Sequence, residues 1–204
     1  MRLGIFGGTF DPVHEGHISV AQAVCERLLL DLVLFVPAKN PQLREGKLPQ
    51  ATPDQRSKML GFAIKSHSKF QISSIELNRT GPSYMFDTLK EIRKIYKSDA
   101  KDTYLIIGSD VLQRFEEWYK YKKIMNECTL VIYGRPGNNG ATTTLPDFLV
   151  PYQNRIQRIV GEEYEVSATR IRELLLNGES NIEGLLPEVE NFIKDENIYI
   201  ESEG

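Results

Sequence analysis

Short apolar runs and longer amphipathic stretches alternate along the first part of this chain. Residues 2–6 are an apolar run that ends at two glycines, and between residues 17 and 30 the apolar positions recur at the spacing of a helix. Residues 32–38 form a second apolar run, which is continuous, as in strands buried on both faces of a parallel sheet. The pattern predicts a strand, a glycine turn, a helix and a parallel strand.

The same alternation continues through the middle of the chain. Thr52, followed by Pro53 and Gln55, gives the signals of an N-cap, a first-turn proline and a capping box, and predicts a helix to about residue 67. Residues 70–77 alternate like a strand, and Ser83 can cap a helix that runs to about residue 97.

Three more strands and three more helical stretches are predicted towards the C-terminus. The stretches 103–110 and 129–137 are apolar strands that end at glycines, with a tryptophan-bearing helical stretch between them. A strand then gives way to a helix at Ser167, this helix is closed by Gly178, and residues 187–199 form a last amphipathic helix.

This order of elements predicts the fold class. We expect an α/β protein with a Rossmann-like, doubly wound parallel sheet of about five or six strands and a C-terminal helical portion over about residues 165–200. The 204 residues suit one domain, spanning 1–204. The number of copies in an assembly stays open, and a homo-oligomer is one possibility.

The net charge and the cysteine content indicate which binding partners and which cellular compartment to expect for this chain. The 25 Lys and Arg against 28 Asp and Glu give a net charge of −3, so there is no general attraction to nucleic acid or to acidic membranes, and an anion must be bound locally. No apolar run approaches a signal peptide core or the roughly 18 residues of a membrane span. Cys25 and Cys128 lie in no CxxC motif and are expected to be reduced core thiols. We expect a soluble cytoplasmic protein.

Glycines at the strand ends mark the expected ligand edge. Gly7 and Gly8, Gly108 and Gly134 should lie at the same edge of a parallel sheet, where ligands bind in such folds. Thr9 and Phe10 are placed to offer backbone amides to phosphate oxygens there.

The stretch GGTFDPVHEGH at residues 7–17 is neither the dinucleotide fingerprint nor a Walker P-loop. His14 and His17 stand three positions apart with Gly16 between them, so both imidazoles can face one anion at the positive end of a helix. Two other interpretations stay open, metal ligands and structural caps, although neither explains the flanking glycines.

A second group of candidates is SATRIR at residues 167–172. Ser167 and Thr169 could be helix caps and nothing more. Arg172 lies one turn inside that helix, and with the two hydroxyls and the first-turn amides it would form a second anion site. Two phosphate sites that face each other suggest a nucleoside triphosphate.

These two motifs resemble known signatures. GGTFDPVHEGH resembles the T/HxGH signature of the nucleotidylyltransferase superfamily, and SATRIR resembles its C-terminal ISSTxxR motif. The stretches GPSYMFDTL, IIGSD, EEWYKYKKI and the strand ending in GRPG are similar to the bacterial nicotinate mononucleotide adenylyltransferases. The resemblance covers roughly residues 1–200.

The resemblance implies an adenylyl transfer from ATP to nicotinate mononucleotide, with Mg²⁺ bound through the substrate phosphates. It implies catalytic roles for His14, His17 and Arg172, and an ATP site formed by Gly7, Gly8, Thr9, Phe10, Ser167, Thr169 and Arg135. For the acceptor it implies Lys39, Arg44, Tyr84, Met85, Gly108, Asp110, Trp118 and Tyr119. From composition alone, a core role for Trp118 would be favoured over contact with a pyridine ring.

Two positions depart from the family pattern. Met85 stands where the family usually has a threonine that recognises the nicotinate carboxylate, and Leu43-Arg44 replaces a His-Lys pair in the loop after the second strand. Three alternatives therefore stay open: a preference for nicotinamide mononucleotide, a sister transferase with another phosphorylated acceptor, and an inactive nucleotide-binding regulator.

Overall fold

A computed structural model describes residues 1–41, 48–134, 144–161 and 166–199. The strands are β1 (Leu3–Gly8), β2 (Leu32–Pro37), β3 (Phe70–Ile72), β4 (Thr103–Gly108), β5 (Thr129–Gly134) and β6 (Ile156–Val160). The helices are α1 (Glu15–Arg27), α2 (Pro53–Ile64), α3 (Met85–Tyr96), α4 (Ser109–Leu112), α5 (Tyr121–Glu127), α6 (Ala168–Leu176) and α7 (Pro187–Asp195), and three 3₁₀ segments lie at Ala100–Asp102, Phe115–Glu117 and Asp147–Arg155.

The six strands form one sheet in the order β3-β2-β1-β4-β5-β6, and every pairing is parallel. The strand order reverses between β1 and β4, which is where ligands bind in folds of this kind. The predicted Rossmann-like, doubly wound sheet is therefore confirmed. Gly8, Gly108 and Gly134 end their strands at the same edge, as expected.

Both faces of the sheet are covered by helices. In β1, Leu3 and Ile5 join the core on the side of α3 and α5, whereas Phe6 joins the core on the side of α1, α2, α6 and α7. The alternation follows from the two-residue period of a strand. Buried residues of the C-terminal helices, such as Ile171 and Ile193, belong to the same core as Phe6.

The N-terminus of α2 forms as predicted. Gln55 donates its amide to the Thr52 hydroxyl at 3.2 Å, and Thr52 donates its amide to the Gln55 side chain at 2.9 Å. This capping box satisfies two amides that the helix itself leaves without partners. The helix ends at Ile64, slightly before the predicted residue 67.

The predictions for residues 70–83 are wrong in two respects. β3 stops at Ile72 and does not continue to residue 77, because the chain turns after Ser73, where the Asn78 amide donates to the carbonyl oxygen of Ser74 at 2.9 Å. Within this turn the Glu76 carboxylate accepts the Thr88 hydroxyl of α3 at 2.7 Å. The N-cap of α3 is Tyr84, not Ser83. The Ser83 hydroxyl oxygen instead accepts the amide of Lys39 at 3.1 Å, so it ties this segment to the end of β2.

Other boundaries shift as well. The tryptophan-bearing stretch consists of α4, a 3₁₀ turn and α5, and α7 ends at Asp195 before the predicted residue 199. Residues 162–165, where the strand before Ser167 was expected, lie outside the described residues, as do residues 135–143.

Both cysteines are free and buried, as predicted. In the part of the chain that the structure describes, no helix has the length and apolarity needed to cross a membrane.

Candidate active site

A cavity of about 170 Å³ lies at the carboxyl ends of β1, β2 and β4. Its position matches the reversal point of the strand order, where an open sheet leaves a crevice. The glycine turn after β1 forms one wall and aromatic residues form another. It is lined by Gly7, Gly8, Thr9, Val36, Ala38, Pro41, Glu76, Ser83, Tyr84, Met85, Leu105, Ile106, Glu117, Trp118, Tyr119 and Ile124.

The turn that follows β1 approaches the cavity through its backbone. Phe10 has a φ of 51°, and its ring is buried against Phe6, Phe35 and His17 at 5.8, 5.7 and 5.1 Å between ring centroids. A Cβ on Gly8 would lie 2.8 Å from that ring, so glycine is required for this packing. With its side chain in the core, Phe10 has only its backbone to offer a ligand.

The two histidines lie together at the start of α1. His14 is the N-cap and His17 lies in the first turn, with 3.8 Å between their ring centroids. The His14 amide donates to Nδ1 of His17 at 3.2 Å. The capping alternative is thus present in the structure, and it uses only one of the two ring nitrogens of His17.

Burial lowers the pKa of His17 well below its ordinary value, and the adjacent His14 lowers it further. A neutral imidazole that accepts at Nδ1 carries its proton on Nε2. His17 therefore offers one N–H donor at the positive end of α1, which is suited to a phosphate oxygen.

Helix α6 brings the second motif to the same turn. Arg172 donates to the carbonyl oxygen of Asp11 at 2.6 Å and to the Thr169 hydroxyl at 3.2 Å. Ser167 is the N-cap, and its hydroxyl oxygen accepts the Arg170 amide at 3.1 Å. Ser167 and Thr169 remain solvent-exposed. The two motifs, about 160 residues apart in sequence, therefore meet through Arg172.

Three further residues hold this turn in place, and no role was predicted for them from the sequence. Asp11 is 2% exposed, and its carboxylate accepts the Gln50 and Ala51 amides at 2.9 and 3.0 Å. The same carboxylate accepts the hydroxyl of Tyr199 at 2.6 Å. Arg56, fully buried, donates to the carbonyl oxygen of Thr9 at 2.7 Å. Asp11 lies within the first motif, but nothing in the sequence distinguishes Arg56 or Tyr199 from surface residues of the same type.

Aromatic residues form the far wall of the cavity. The Trp118 ring packs on Phe115 at 5.1 Å, and the indole N–H is buried with no acceptor among the described residues. Tyr84 and Tyr119 pack on each other with 4.2 Å between ring centroids and 31° between ring planes, and 39% of Tyr119 is exposed. Trp118 thus has a core contact on one side and the cavity on the other. An aromatic wall suits a planar heteroaromatic ring.

Met85 lies between this aromatic wall and the glycine turn. Its Cε is 2.6 Å from the place that a Cβ on Gly7 would occupy. The close approach therefore depends on the missing side chain of Gly7. At this point the cavity carries a thioether, which offers no hydrogen-bond donor.

None of the other described residues that were predicted to bind the acceptor lines the cavity. Lys39 donates through Nζ to the carbonyl oxygen of Arg79 at 3.3 Å, beside the cavity. Gly108 and Asp110 lie at the end of β4 and in α4, and neither lines the cavity. Arg44 lies outside the described residues, as does Arg135 of the predicted ATP site.

Glu76 is a buried carboxyl group in the cavity wall, and it lies in neither sequence motif. Burial raises its pKa, and the hydroxyls of Thr88 and Ser83 partly offset this effect. Arg79 donates to Thr88 at 2.8 Å and so supports the same network. The network connects the end of β2, through Ser83, to the first turns of α3.

The described residues contain no group of three or more His, Cys, Asp or Glu side chains that could hold a metal ion. The side chains around the first turn of α1 are the imidazoles of His14 and His17, the carboxylate of Glu15 and the guanidinium of Arg172. Imidazole and guanidinium N–H groups can donate to phosphate oxygens, whereas Mg²⁺ takes oxygen ligands.

Comparison with known proteins agrees with this geometry. The cytidylyltransferase-like family matches residues 5–174. A protein of Dictyoglomus thermophilum named nicotinate-nucleotide adenylyltransferase is 37% identical over 98% of this chain and 100% of its own length. A protein of the same name from Geobacillus kaustophilus is 33% identical over 97% of this chain and 86% of its own.

Solved structures share the fold. The nicotinic acid mononucleotide adenylyltransferase of Plasmodium falciparum in complex with NaAD superposes with a TM-score of 0.76, at 18% identity over 97% of this chain and 96% of that one. The same protein in complex with APC gives a TM-score of 0.73 at 17% identity, over the same shares of both chains. From the family match and the full-length relatives, the chain belongs to the cytidylyltransferase-like family and, within it, to the nicotinate-nucleotide adenylyltransferases.

Proposed function

We propose that this protein transfers the adenylyl group of ATP to nicotinate mononucleotide, which yields deamido-NAD and pyrophosphate. The observation that carries the proposal is the contact of Arg172 with the turn that bears His14 and His17, beside an apolar cavity with an aromatic wall. Phosphate-binding groups and a site for a planar ring are thereby adjacent, as the two substrates require. The names of the full-length relatives support the same reaction.

The reaction needs alignment and charge stabilisation more than a covalent intermediate. A phosphate oxygen of the mononucleotide attacks the α-phosphorus of ATP, the bond from that phosphorus to the oxygen bridging the α- and β-phosphates breaks, and pyrophosphate leaves with the bonding electrons. Negative charge grows on the phosphate oxygens during this step. Hydrogen-bond donors that are already in position before the reaction lower its activation barrier, because they do not have to reorient as the charge develops.

His17 is suited to this work. Its Nδ1 is occupied by the His14 amide, so the ring is held in one orientation and presents Nε2–H. In the proposed complex Nε2 of His17 and the ring of His14 contact phosphate oxygens at the point of attack. The backbone amides of Thr9 and Phe10 hold the phosphates of ATP, next to the close approach at Gly7 and Gly8.

Arg172 would hold the ATP from the opposite side. Its guanidinium is anchored on the Asp11 carbonyl oxygen and on Thr169, which leaves further N–H groups for phosphate oxygens. Ser167 and Thr169 lie exposed at the N-terminus of α6, where hydroxyls and first-turn amides can add donors. Arg135 is proposed on the same side from the family resemblance alone.

The acceptor would enter the cavity with its pyridine ring against Trp118. Tyr84, Met85 and Tyr119 line the space around the ring. The Tyr119 amide is proposed for the carboxylate from the family resemblance. Lys39 and Arg44 are proposed for the mononucleotide phosphate, and Gly108 and Asp110 for its ribose. Mg²⁺ is proposed as a companion of ATP, bound through the phosphates, where it neutralises charge.

A cytoplasmic location is proposed with this function. Cys25 and Cys128 are free thiols buried in the two cores on opposite faces of the sheet, and free thiols are usual in a reducing compartment. Cell fractionation with an antibody against the protein would test the location independently of the activity.

One assay tests the reaction. The purified protein is incubated with ATP and Mg²⁺ and with either nicotinate mononucleotide or nicotinamide mononucleotide, and both pyrophosphate and dinucleotide are measured. We expect stoichiometric dinucleotide and pyrophosphate with the nicotinate substrate. Dinucleotide from the amide alone would reverse the acceptor assignment. Absence of dinucleotide with both, in a protein that still binds ATP, would favour a sister transferase or a nucleotide-binding regulator.

A preference for the amide is the second candidate function, and Met85 is the observation that favours it. The cavity has a thioether where a hydroxyl donor for the carboxylate would be expected from the resemblance. The ratio of the two activities in the assay above decides between acid and amide.

A further inference from the structure

The C-terminal segment contacts the catalytic turn on both sides of His14. On one side, Tyr199 donates its hydroxyl to Asp11 at 2.6 Å across 188 positions of sequence. On the other side, Glu15 donates its amide to the carbonyl oxygen of Gly184 at 2.9 Å. The residues that would face the phosphates therefore lie between two contacts with residues 184–199.

The Asp11 carboxylate is the centre of this arrangement. One of its oxygens accepts the Tyr199 hydroxyl and the Ala51 amide, and the other accepts the Gln50 amide at 2.9 Å. Its backbone carbonyl oxygen accepts Arg172. A side chain with three donors in fixed directions has one orientation, and the peptide that carries it is fixed as well.

The burial and the backbone conformation of Tyr199 suit its contact with Asp11. It is buried, and its φ is 62°, a left-handed conformation that a bulky aromatic residue adopts only where its surroundings impose it. Burial and the Asp11 carboxylate raise the pKa of Tyr199, so the hydroxyl keeps its proton and remains a donor. Arg56 and Arg172 are close enough to influence the same hydroxyl and supply the positive charge that offsets Asp11.

We propose that Tyr199 is a positioning residue of the adenylyl transfer, which acts through Asp11 to hold the turn that carries Thr9, Phe10 and His14. This inference rests on the proposed function. Tyr199 itself touches no substrate. Loss of its hydroxyl should loosen the turn while the aromatic ring stays packed, and small displacements of aligned groups cost large factors in rate.

The test is Tyr199→Phe, with Tyr104→Phe as the matched control. Tyr104 is also buried, but it lies on β4 with its ring against Arg2, away from the turn. We expect Tyr199→Phe to lower kcat by about tenfold to a hundredfold while the KM for nicotinate mononucleotide changes by less than about threefold. Circular dichroism and thermal unfolding show that both variants are folded at the assay temperature. The control should keep kcat within about twofold of the unsubstituted protein.

A double-substitution cycle separates positioning from general stability. If Tyr199 acts through Asp11, then Tyr199→Phe combined with Asp11→Asn lowers kcat no further than Asp11→Asn alone. Should Asp11→Asn fail to fold, Tyr199→Phe alone decides. A folded Tyr199→Phe protein with unchanged kcat overturns the inference. The unsubstituted protein, assayed in parallel, reports on the proposed function itself, so failure of that function would be visible separately.

Discussion

The backbone amide of His14 donates to Nδ1 of His17 over 3.2 Å, and this contact fixes the proton of the neutral His17 ring on Nε2. The contact combines a helix-capping acceptor, Nδ1, and an N–H donor, Nε2, in one side chain. Nδ1 stabilises the start of α1, while Nε2 stays available to a ligand. The two interpretations of the histidines, as caps and as anion ligands, are therefore compatible.

Replacing His17 by alanine should lower kcat by about a hundredfold or more, because a donor aimed at charge developing in the transition state is lost. The measurement is steady-state formation of dinucleotide. His67→Ala is the control, since His67 stacks on Phe70 at 4.7 Å, away from the turn. Unchanged kcat in a folded His17→Ala protein would remove His17 from the mechanism.

Protein stability should depend on the protonation of His17. Its pKa is lowered by burial and by His14, so below the ordinary histidine value of about 6.5 the unfolded chain takes up a proton that the folded chain does not. The free energy of unfolding should therefore fall as the pH drops from about 6.5 towards the lowered pKa, by no more than about 1.4 kcal/mol per pH unit, and this contribution is complete above about 6.5.

Urea unfolding at about pH 7.5 and about pH 5.5 measures this dependence. His17→Gln is the matched variant, because glutamine does not titrate. Its stability should fall less over the same interval, and the difference between the two proteins isolates His17 from Glu76 and other groups. Equal losses in both proteins would contradict the assignment.

Replacing Arg172 by alanine should lower kcat/KM for ATP by about tenfold to a hundredfold, since a charged hydrogen-bond donor is removed from the ATP side. Arg170→Ala is the control on the same helix, because Arg170 is exposed and pairs with Glu173. Arg172→Lys should recover only part of the loss, because an ammonium group cannot reproduce the two directed contacts with Asp11 and Thr169. Equal kinetics of Arg172→Ala and Arg170→Ala would exclude this role.

Replacing Met85 by threonine should raise the ratio of kcat/KM for nicotinate over nicotinamide mononucleotide by about tenfold, because a hydroxyl can donate to the carboxylate. Met85→Leu is the matched control, as it keeps the volume and adds no donor, and it should leave the ratio within about threefold. The two acceptors are compared at limiting concentrations. A ratio that changes equally in both variants would show that size, and not the hydroxyl, sets the preference.

Much of the architecture follows from local patterns. The continuous apolar runs at β1, β2, β4 and β5 predicted strands because a centrally placed parallel strand is buried on both faces. The capping box at Thr52 and Gln55 was predictable because its partners lie three residues apart. β3 was predicted too long because its alternation continues after its hydrogen bonds end, where Glu76 turns to Thr88.

The candidate site likewise has some features that local sequence patterns predict and others that they do not. Its two motifs were visible in the sequence, since glycines, histidines and a helix-start arginine have local signatures. The roles of Asp11, Arg56 and Tyr199 were not visible, because each depends on a partner from a distant part of the chain. The structure also showed that Phe10 is buried and that Lys39 lies on the carbonyl oxygen of Arg79.

By itself the sequence determined the alternation of strands and helices, the glycine edge of the sheet and the two motifs that carry the candidate site residues. These features rest on interactions between residues close in sequence, where periodicity and capping leave a readable pattern. Only the tertiary structure decided that Arg172 and Tyr199 converge on Asp11. That convergence depends on how the sheet and its helices pack, and buried polar groups find their partners there because an unpaired one would cost too much free energy.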